Sequence, residues 1–448
     1  MTTILDSATI TDAYTDFVLG LRLESIPTEV IEAAKARILD WIGVALAGSS
    51  TPQADIVVAT MAPFGGNPHC SIVGRGLALP VHDAAFINAT MAQALDFDDA
   101  IDSCLNPSAS NGAGALGIGQ WRGSSGAEVL TAFLAGYEVT AQIARKIGRL
   151  LQAGGSFFCT GITAPLGVAS GASRLIGLSP TAFKNALGLA GTQSAGLRQT
   201  LGTMTKPLMS GKAAMNGVLA AVWAEGGYTS SERILDGEHG LAGAFLGESL
   251  SGTAENLGRN WEILKSLIKP YPTCGGFPAA IECAMQLHEA GQIPTSEIDR
   301  VVVELAPQTV LGAGIARPVG AEAGRLSAQY VVSTVLTHGA IGRDDFTDEA
   351  VARSDIQELL KKVELQPINT GVSEGRVRVI GTDGSEVERY VEWAKGSSGN
   401  PMTTAEVQSK FMRNAVPVIG QERAATVAEM VTNLERVDAV GDIMTLCA

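Results

Sequence analysis

A chain of 448 residues is too long for one ordinary hydrophobic core, so two or three domains are expected. With 46% hydrophobic and 17% charged residues it is a folded globular protein, and 52 glycines beside only 5% aromatics favour close-packed helices over a β-sandwich. A formal charge of −14 argues against nucleic acid as partner, since that needs a basic face, and no Lys/Arg run is long enough for a polybasic membrane anchor.

Met1-Thr2-Thr3-Ile4-Leu5-Asp6 lacks the basic and apolar regions of a signal peptide, and the apolar windows are amphipathic or broken by Gly. No membrane span is expected. The six cysteines (Cys70, Cys104, Cys159, Cys274, Cys283 and Cys447) form no C-x-x-C pair, and the five histidines form no H-E-x-x-H. The expectation is a cytoplasmic protein with reduced thiols and no metal.

In chain order, residues 12–23 predict a first helix. Pro27 and Glu29 open a second, with Val30, Ile31, Ala34, Ile38, Ile42 and Val44 on its buried face and Gly48 at its end. A short helix over 51–64 and an extended or turn element over 70–76 follow. Val81, Ala84, Ala85, Phe86, Ile87, Met91, Ala94 and Leu95 predict a mostly buried helix that runs into Asp96-Phe97-Asp98-Asp99. Helices then continue to Trp261, among them 126–151, an Ala-rich run through Leu175, and 180–189 behind a Ser179 N-cap. Gly112-Ala113-Gly114-Ala115-Leu116-Gly117 matches a dinucleotide fingerprint. No strand precedes it and no βαβ unit surrounds it, so it reads as small residues in a crowded helix.

The texture changes near Ile263. Strands are predicted over 263–268 and 298–305, and a helix over 278–290. A hairpin joins 376–380 to 387–391 through Thr382-Asp383-Gly384. Helices over 327–336 and 356–363 fill the gap, and from Thr404 helices return to pack on the first region. The predicted fold is mainly α with a smaller α+β domain. A large all-helical domain is formed by both chain ends (1–265 and 401–448), with an inserted α+β domain (266–400).

Four stretches carry candidate chemistry. Asp96, Asp98 and Asp99 gather at a helix C-terminus, with Asp102, Cys104, Asn106 and Pro107 just beyond. They are either a solvated acidic loop or carboxylates buried between apolar helices and suited to acid/base work. In the second stretch, Pro207 is expected to hold Lys206 in an extended loop, with Lys212 opening a helix over 211–223. The pair is either two surface lysines or a carboxylate-binding or proton-transfer site. The third, Lys269-Pro270-Tyr271-Pro272-Thr273-Cys274-Gly275-Gly276-Phe277-Pro278, is either a hinge or a cradle of backbone N–H groups for a carboxylate. In the fourth, Arg325 to Tyr330, Tyr330 alone reads as a half-buried helix tyrosine.

Together these stretches resemble the MmgE/PrpD family across nearly the whole chain. The matching blocks are Ala84-Ala85-Phe86, Ala94-Leu95-Asp96-Phe97-Asp98-Asp99, Gly202-Thr203-Met204-Thr205-Lys206-Pro207-Leu208 and Gly211-Lys212-Ala213-Ala214. They continue with Lys269-Pro270-Tyr271-Pro272-Thr273-Cys274 and Gln329-Tyr330. The resemblance implies an α+β lid over the helical domain, a homodimer, and cofactor-free chemistry on a small anionic polycarboxylate. Family dehydratases and decarboxylases place histidines around the cleft. Here the corresponding positions are Gln93, Asn106, Phe158, Met209 and the Gly275-Gly276-Phe277 segment. Because dehydration and decarboxylation commonly use imidazole as acid, this departure favours an isomerase. The expected activity is a two-base epimerase resembling iminodisuccinate epimerase. The alternatives are a family-type dehydratase or decarboxylase of a tricarboxylic acid (2-methylcitrate or cis-aconitate-like) and a non-catalytic binder. Expected catalytic residues are Lys206, Tyr271, Tyr330 and Asp96; expected substrate-binding residues are Lys212, Arg198, Asn106, Gly275 and Gly276.

Overall fold

The computed structural model describes residues 9–101, 105–152, 155–245, 249–250 and 252–448; Asp102 and Cys104 lie outside the described residues. The chain opens with helix α1 (Ile10–Gly20), started by a capping box in which Thr9 and Asp12 each satisfy the other's backbone N–H. Helices α2 (Thr28–Gly48) and α3 (Pro52–Met61) follow, and then a hairpin of β1 (Cys70–Ile72) and β2 (Leu77–Leu79). Helix α4 (Val81–Gln93) is buried along nearly its whole length and ends just before the acidic stretch. After the short strand β3 (Asp99–Ala100) come α5 (Pro107–Arg122), α6 (Gly126–Gln152), α7 (Cys159–Ile176), α8 (Pro180–Gly191), α9 (Thr205–Glu225) and α10 (Leu241–Phe245). The glycines of the fingerprint-like match lie inside α5, buried against neighbouring helices.

Close approach of α4 and α9 is what positions the site. A Cβ on Gly211 of α9 would lie 2.1 Å from the Thr90 hydroxyl oxygen and 2.6 Å from the Phe86 carbonyl oxygen of α4, so only glycine fits. Helix α9 begins six residues before the expected Gly211 start. Pro207 sits in its first turn, where a missing N–H costs nothing, so Lys206 is helical and not in an extended loop.

Beyond this region the chain forms β4 (Leu267–Ile268), α11 (Pro278–Ala290), β5 (Ile298–Leu305), α12 (Pro307–Gly312), α13 (Ala321–Gly324), α14 (Ala328–His338), α15 (Asp348–Val351) and α16 (Ser354–Leu360). Strands β6 (Val363–Pro367), β7 (Gly375–Gly381) and β8 (Glu386–Val391) complete a four-stranded sheet in the order β6-β5-β7-β8. Its β5–β6 pairing is parallel and the others antiparallel. The hairpin turns at Asp383-Gly384 as expected and pairs Arg376 with Tyr390 and Ile380 with Glu386, but β6 falls where the helix over 356–363 was expected to end. The strand expected over 263–268 shortens to β4, which pairs with β3 and so ties the acidic stretch to the third candidate segment.

Helices α17 (Thr404–Ile419), α18 (Gln421–Thr432) and α19 (Val440–Leu446) close the chain. Their Phe411, Val431 and Ile443 share one core with Tyr14, Trp41, Phe133 and Tyr137. A second core, including Phe277, Val301, Val303, Tyr330 and Val377, lies between the sheet and α11 and α14. Among the described residues no helix is long and apolar enough to cross a membrane.

Candidate active site

The chain leaves α4 through a turn in which Asp96 takes a left-handed backbone, φ 49°. Its carboxylate is buried. Oδ2 lies 2.6 Å from Lys206 Nζ, and Oδ1 lies 2.5 Å from Lys269 Nζ. Lys206 comes from the first turn of α9 and Lys269 from the residue after β4, so the α4–α9 packing and the β3–β4 pairing converge on one anion.

Burial alone would push the Asp96 carboxyl up, but the two lysine charges outweigh it and hold the group at about 2. Lys269 also lies 3.4 Å from Asp98 Oδ1. Burial would lower its ammonium pKa, but the charges of Asp96 and Asp98 raise it instead. At Asp98 burial outweighs the pull of Lys269 and Lys206 and pushes the carboxyl up to about 7. Asp99 is structural: Oδ2 accepts the Tyr137 hydroxyl at 2.7 Å and Oδ1 accepts the Ser108 N–H at 3.0 Å, capping the start of α5.

Asp96, Lys206 and Lys269 line a cavity with Asn106, Arg198, Gly275, Phe157, Phe158, Cys159, Leu201, Cys274, Gln308, Thr309, Leu311 and Leu326. The cavity is bounded by elements of both cores. Arg198 lines it, donating from Nη2 to the Leu311 carbonyl at 2.9 Å and from Nη1 to the Gly155 carbonyl at 3.4 Å. The Asn106 side-chain amide donates to the Asp99 carbonyl at 2.9 Å, and its backbone N–H donates to Thr160 Oγ1 at 3.1 Å. Apolar walls that carry Lys206, Lys269 and Arg198 suit a small molecule with several carboxylates.

The structure thus gathers Asp96, Lys206, Arg198, Asn106 and Gly275 around one space. It places four other expected residues elsewhere. The Tyr271 hydroxyl points toward Met285 Sδ at 3.5 Å, within the second core's surroundings, and burial raises its phenol to about 12. Tyr330 is buried in that core, donates to the Asp345 carbonyl and packs edge-on against Phe346, so it cannot face Lys206 across a substrate. Lys212 lies exposed in the second turn of α9 with its Nζ 3.1 Å from Met215 Sδ. It turns away because residues six apart on a helix project in different directions. Gly276 makes room for α12, since a Cβ there would lie 2.3 Å from Thr309 Oγ1.

Lys269 was missed as a site residue. It opens the third stretch, but its partner lies 173 positions away and no local pattern announces the pair. The cavity has no histidine among its described lining residues; Asn106 and Phe158 occupy two of the positions where the resemblance places one. Among the described residues no group of three or more His, Cys, Asp or Glu side chains is arranged to hold a metal ion. All five described cysteines are buried and none is in a disulfide.

Comparison with known proteins agrees with the sequence blocks. The profile of the MmgE/PrpD N-terminal domain matches residues 12–252, and that of the MmgE/PrpD C-terminal domain matches residues 271–436. The chain is 27% identical over 473 residues to a cis-aconitate decarboxylase of Aspergillus terreus, covering 98% of this chain and 95% of that protein. It is 26% identical over 454 residues to the human cis-aconitate decarboxylase, covering 98% and 94%, and 25% identical over 456 residues to the mouse protein, covering 98% and 92%. These relatives are named for a lyase reaction. The expectation of an isomerase, and of an iminodisuccinate-type epimerase in particular, is corrected accordingly. It rested on absent histidines, and absence of one acid does not exclude another.

Proposed function

The chain belongs to the MmgE/PrpD family, and on that premise we propose that it is a cofactor-independent lyase that decarboxylates a small unsaturated tricarboxylate of the cis-aconitate type. The observation that carries the reading is the Lys206–Asp96 pair on the wall of a cavity that also presents Arg198 and Lys269.

Loss of CO2 from a carboxymethyl group beside an alkene sends the breaking C–C pair into a new alkene. The original π pair moves to the carbon next to a second carboxylate, and that carbon then takes a proton. Cations near the developing negative charge lower the barrier, and a positioned acid completes the step. Lys206 supplies the proton, and Asp96 holds its side chain at the cavity wall. Arg198 and Lys269 hold and neutralise the remaining carboxylates. In this reading residues 1–265 and 401–448 carry Asp96 and Lys206, residues 266–400 form a cover contributing Lys269 and Leu311, and the working unit is a homodimer.

The test is incubation with cis-aconitate in H2O and D2O, followed by proton NMR and CO2 detection. Wild type should release CO2 and place one solvent deuteron in the product, and Lys206→Ala should lose on the order of 10²–10⁴-fold in rate. Release of water without CO2 from 2-methylcitrate would transfer the assignment to the dehydratases. Failure to release CO2 or water from any tri- or dicarboxylate tested would sink the lyase reading.

A further inference from the structure

Asp96 is the one non-glycine among the described residues with a left-handed backbone. Such a conformation persists only where the surroundings over-determine it. Here the surroundings are cations. The Leu95 carbonyl accepts from Arg325 Nη1 at 3.3 Å, the Asp96 carbonyl from Lys269 Nζ at 3.2 Å, and the Phe97 carbonyl from Lys410 Nζ at 2.8 Å. Consecutive carbonyls are thus each taken by a buried cation, and the cations come from distant parts of the chain.

Lys269 and Arg325 have further partners beside the cavity, the Asp96 carboxylate and the Pro272 carbonyl. Lys410 does not line the cavity. It arrives from α17, 1% exposed, and its Nζ lies 2.7 Å from Asp40 Oδ1 of α2 and 3.9 Å from the centre of the Phe97 ring. A buried Lys–Asp pair is a poor device for stability alone, because apolar residues of similar volume avoid its desolvation. What Lys410 adds is a directed bond to the backbone next to Asp96.

We infer that Lys410, held in place by its pairing with Asp40, is a positioning residue that fixes the Phe97 carbonyl and ring and so holds Asp96 where its carboxylate reaches Lys206. The inference rests on the proposal that Lys206 and Asp96 are the reacting pair. Reactive groups must be held to a fraction of an ångström, so loosening the turn is felt in the chemical step more than in binding.

Lys410→Met alone would leave Asp40 buried and unpaired, so the test is the double exchange Lys410→Met with Asp40→Asn, which removes both ionisable groups at nearly constant volume. The folded double variant, verified by near-UV circular dichroism, should lose on the order of 10–100-fold in kcat with KM changed by less than about threefold. Lys410→Arg, which keeps charge and donor, should recover most of the rate. A second readout needs no turnover: carbon NMR of the Asp96 carboxyl, assigned by its disappearance in Asp96→Asn. In wild type it should stay ionised at about pH 4, and in the double variant it should titrate above that value. An unchanged kcat or an unchanged Asp96 titration in the folded double variant overturns the inference. If no form turns over any acid, the lyase reading fails, and the carboxyl titration still decides the role of Lys410.

Discussion

Lys206 Nζ and Asp96 Oδ2 are 2.6 Å apart, and the other oxygen of that carboxylate is engaged at 2.5 Å by Lys269. One anion therefore serves two ammonium groups, and the wall of the cavity carries surplus positive charge. In the proposed reading the substrate's carboxylates meet that charge, although the whole chain carries a net charge of −14.

Asp96→Asn should separate charge from shape. Asn tolerates a left-handed backbone, so the turn is kept while Lys206 and Lys269 lose their shared anion. Breaking a buried pair by removing one partner costs about 3–5 kcal/mol, and turnover should drop at least on the order of a hundredfold as the lysine loses its alignment. Urea unfolding and CO2 release measure the two effects. A variant of wild-type stability and rate would show that the pair is idle.

Stability should peak at mildly acidic pH. Against burial, which pushes it up, Lys206 and Lys269 pull the Asp96 carboxyl down to about 2. The folded state thus binds fewer protons than the unfolded one between about pH 4 and 2, and this stabilisation is present above 4 and lost as pH falls through that window. Burial raises Asp98 and Glu138 to about 7, so there the folded state binds more protons and stability declines as pH rises from about 4 to 7. Melting temperatures should be highest near about pH 5 and fall toward pH 8, and Asp98→Asn should flatten the neutral side. A wild-type profile that rises steadily to pH 8 would contradict this.

Tyr330→Phe should leave kcat within about threefold of wild type while lowering stability by about 1 kcal/mol, the usual worth of one buried hydrogen bond, here to the Asp345 carbonyl. Tyr271→Phe should be milder still, because its hydroxyl has only a thioether contact at 3.5 Å. Steady-state kinetics beside denaturant titration distinguishes this from a catalytic role, which would cost two or more orders of magnitude.

Gly211→Ala tests the helix approach that brings the site together. The added methyl meets the Thr90 hydroxyl and the Phe86 carbonyl, and overpacking of this kind costs about 1–3 kcal/mol. Because α9 must shift to accommodate it, kcat should fall with stability, although residue 211 touches nothing in the cavity. A neutral result would mean that α4 and α9 can slide without disturbing Lys206 and Asp96.

Much of the architecture was legible because its signals are local. Apolar periodicity marks α2, α4 and α6, Ser179 caps α8, and Asp383-Gly384 turns the β7–β8 hairpin. The same local reading erred at Pro207, which marks a helix start as readily as a break, and at β6, a short strand that directly follows a helix. Ordered blocks were enough to identify the family and to nominate Asp96, Lys206, Arg198 and Asn106, which the structure gathers around one cavity. They could not tell Tyr330, locked onto a carbonyl in the second core, from a tyrosine facing substrate. Nor could they find Lys269 and Lys410, whose meaning lies in the carboxylates and carbonyls they meet far along the chain. The sequence by itself determined most of the helices and the ordered blocks that mark the family. Only the tertiary structure decided which charges pair, because the direction of a side chain and the distance to its partner follow from packing between elements that the local pattern does not record.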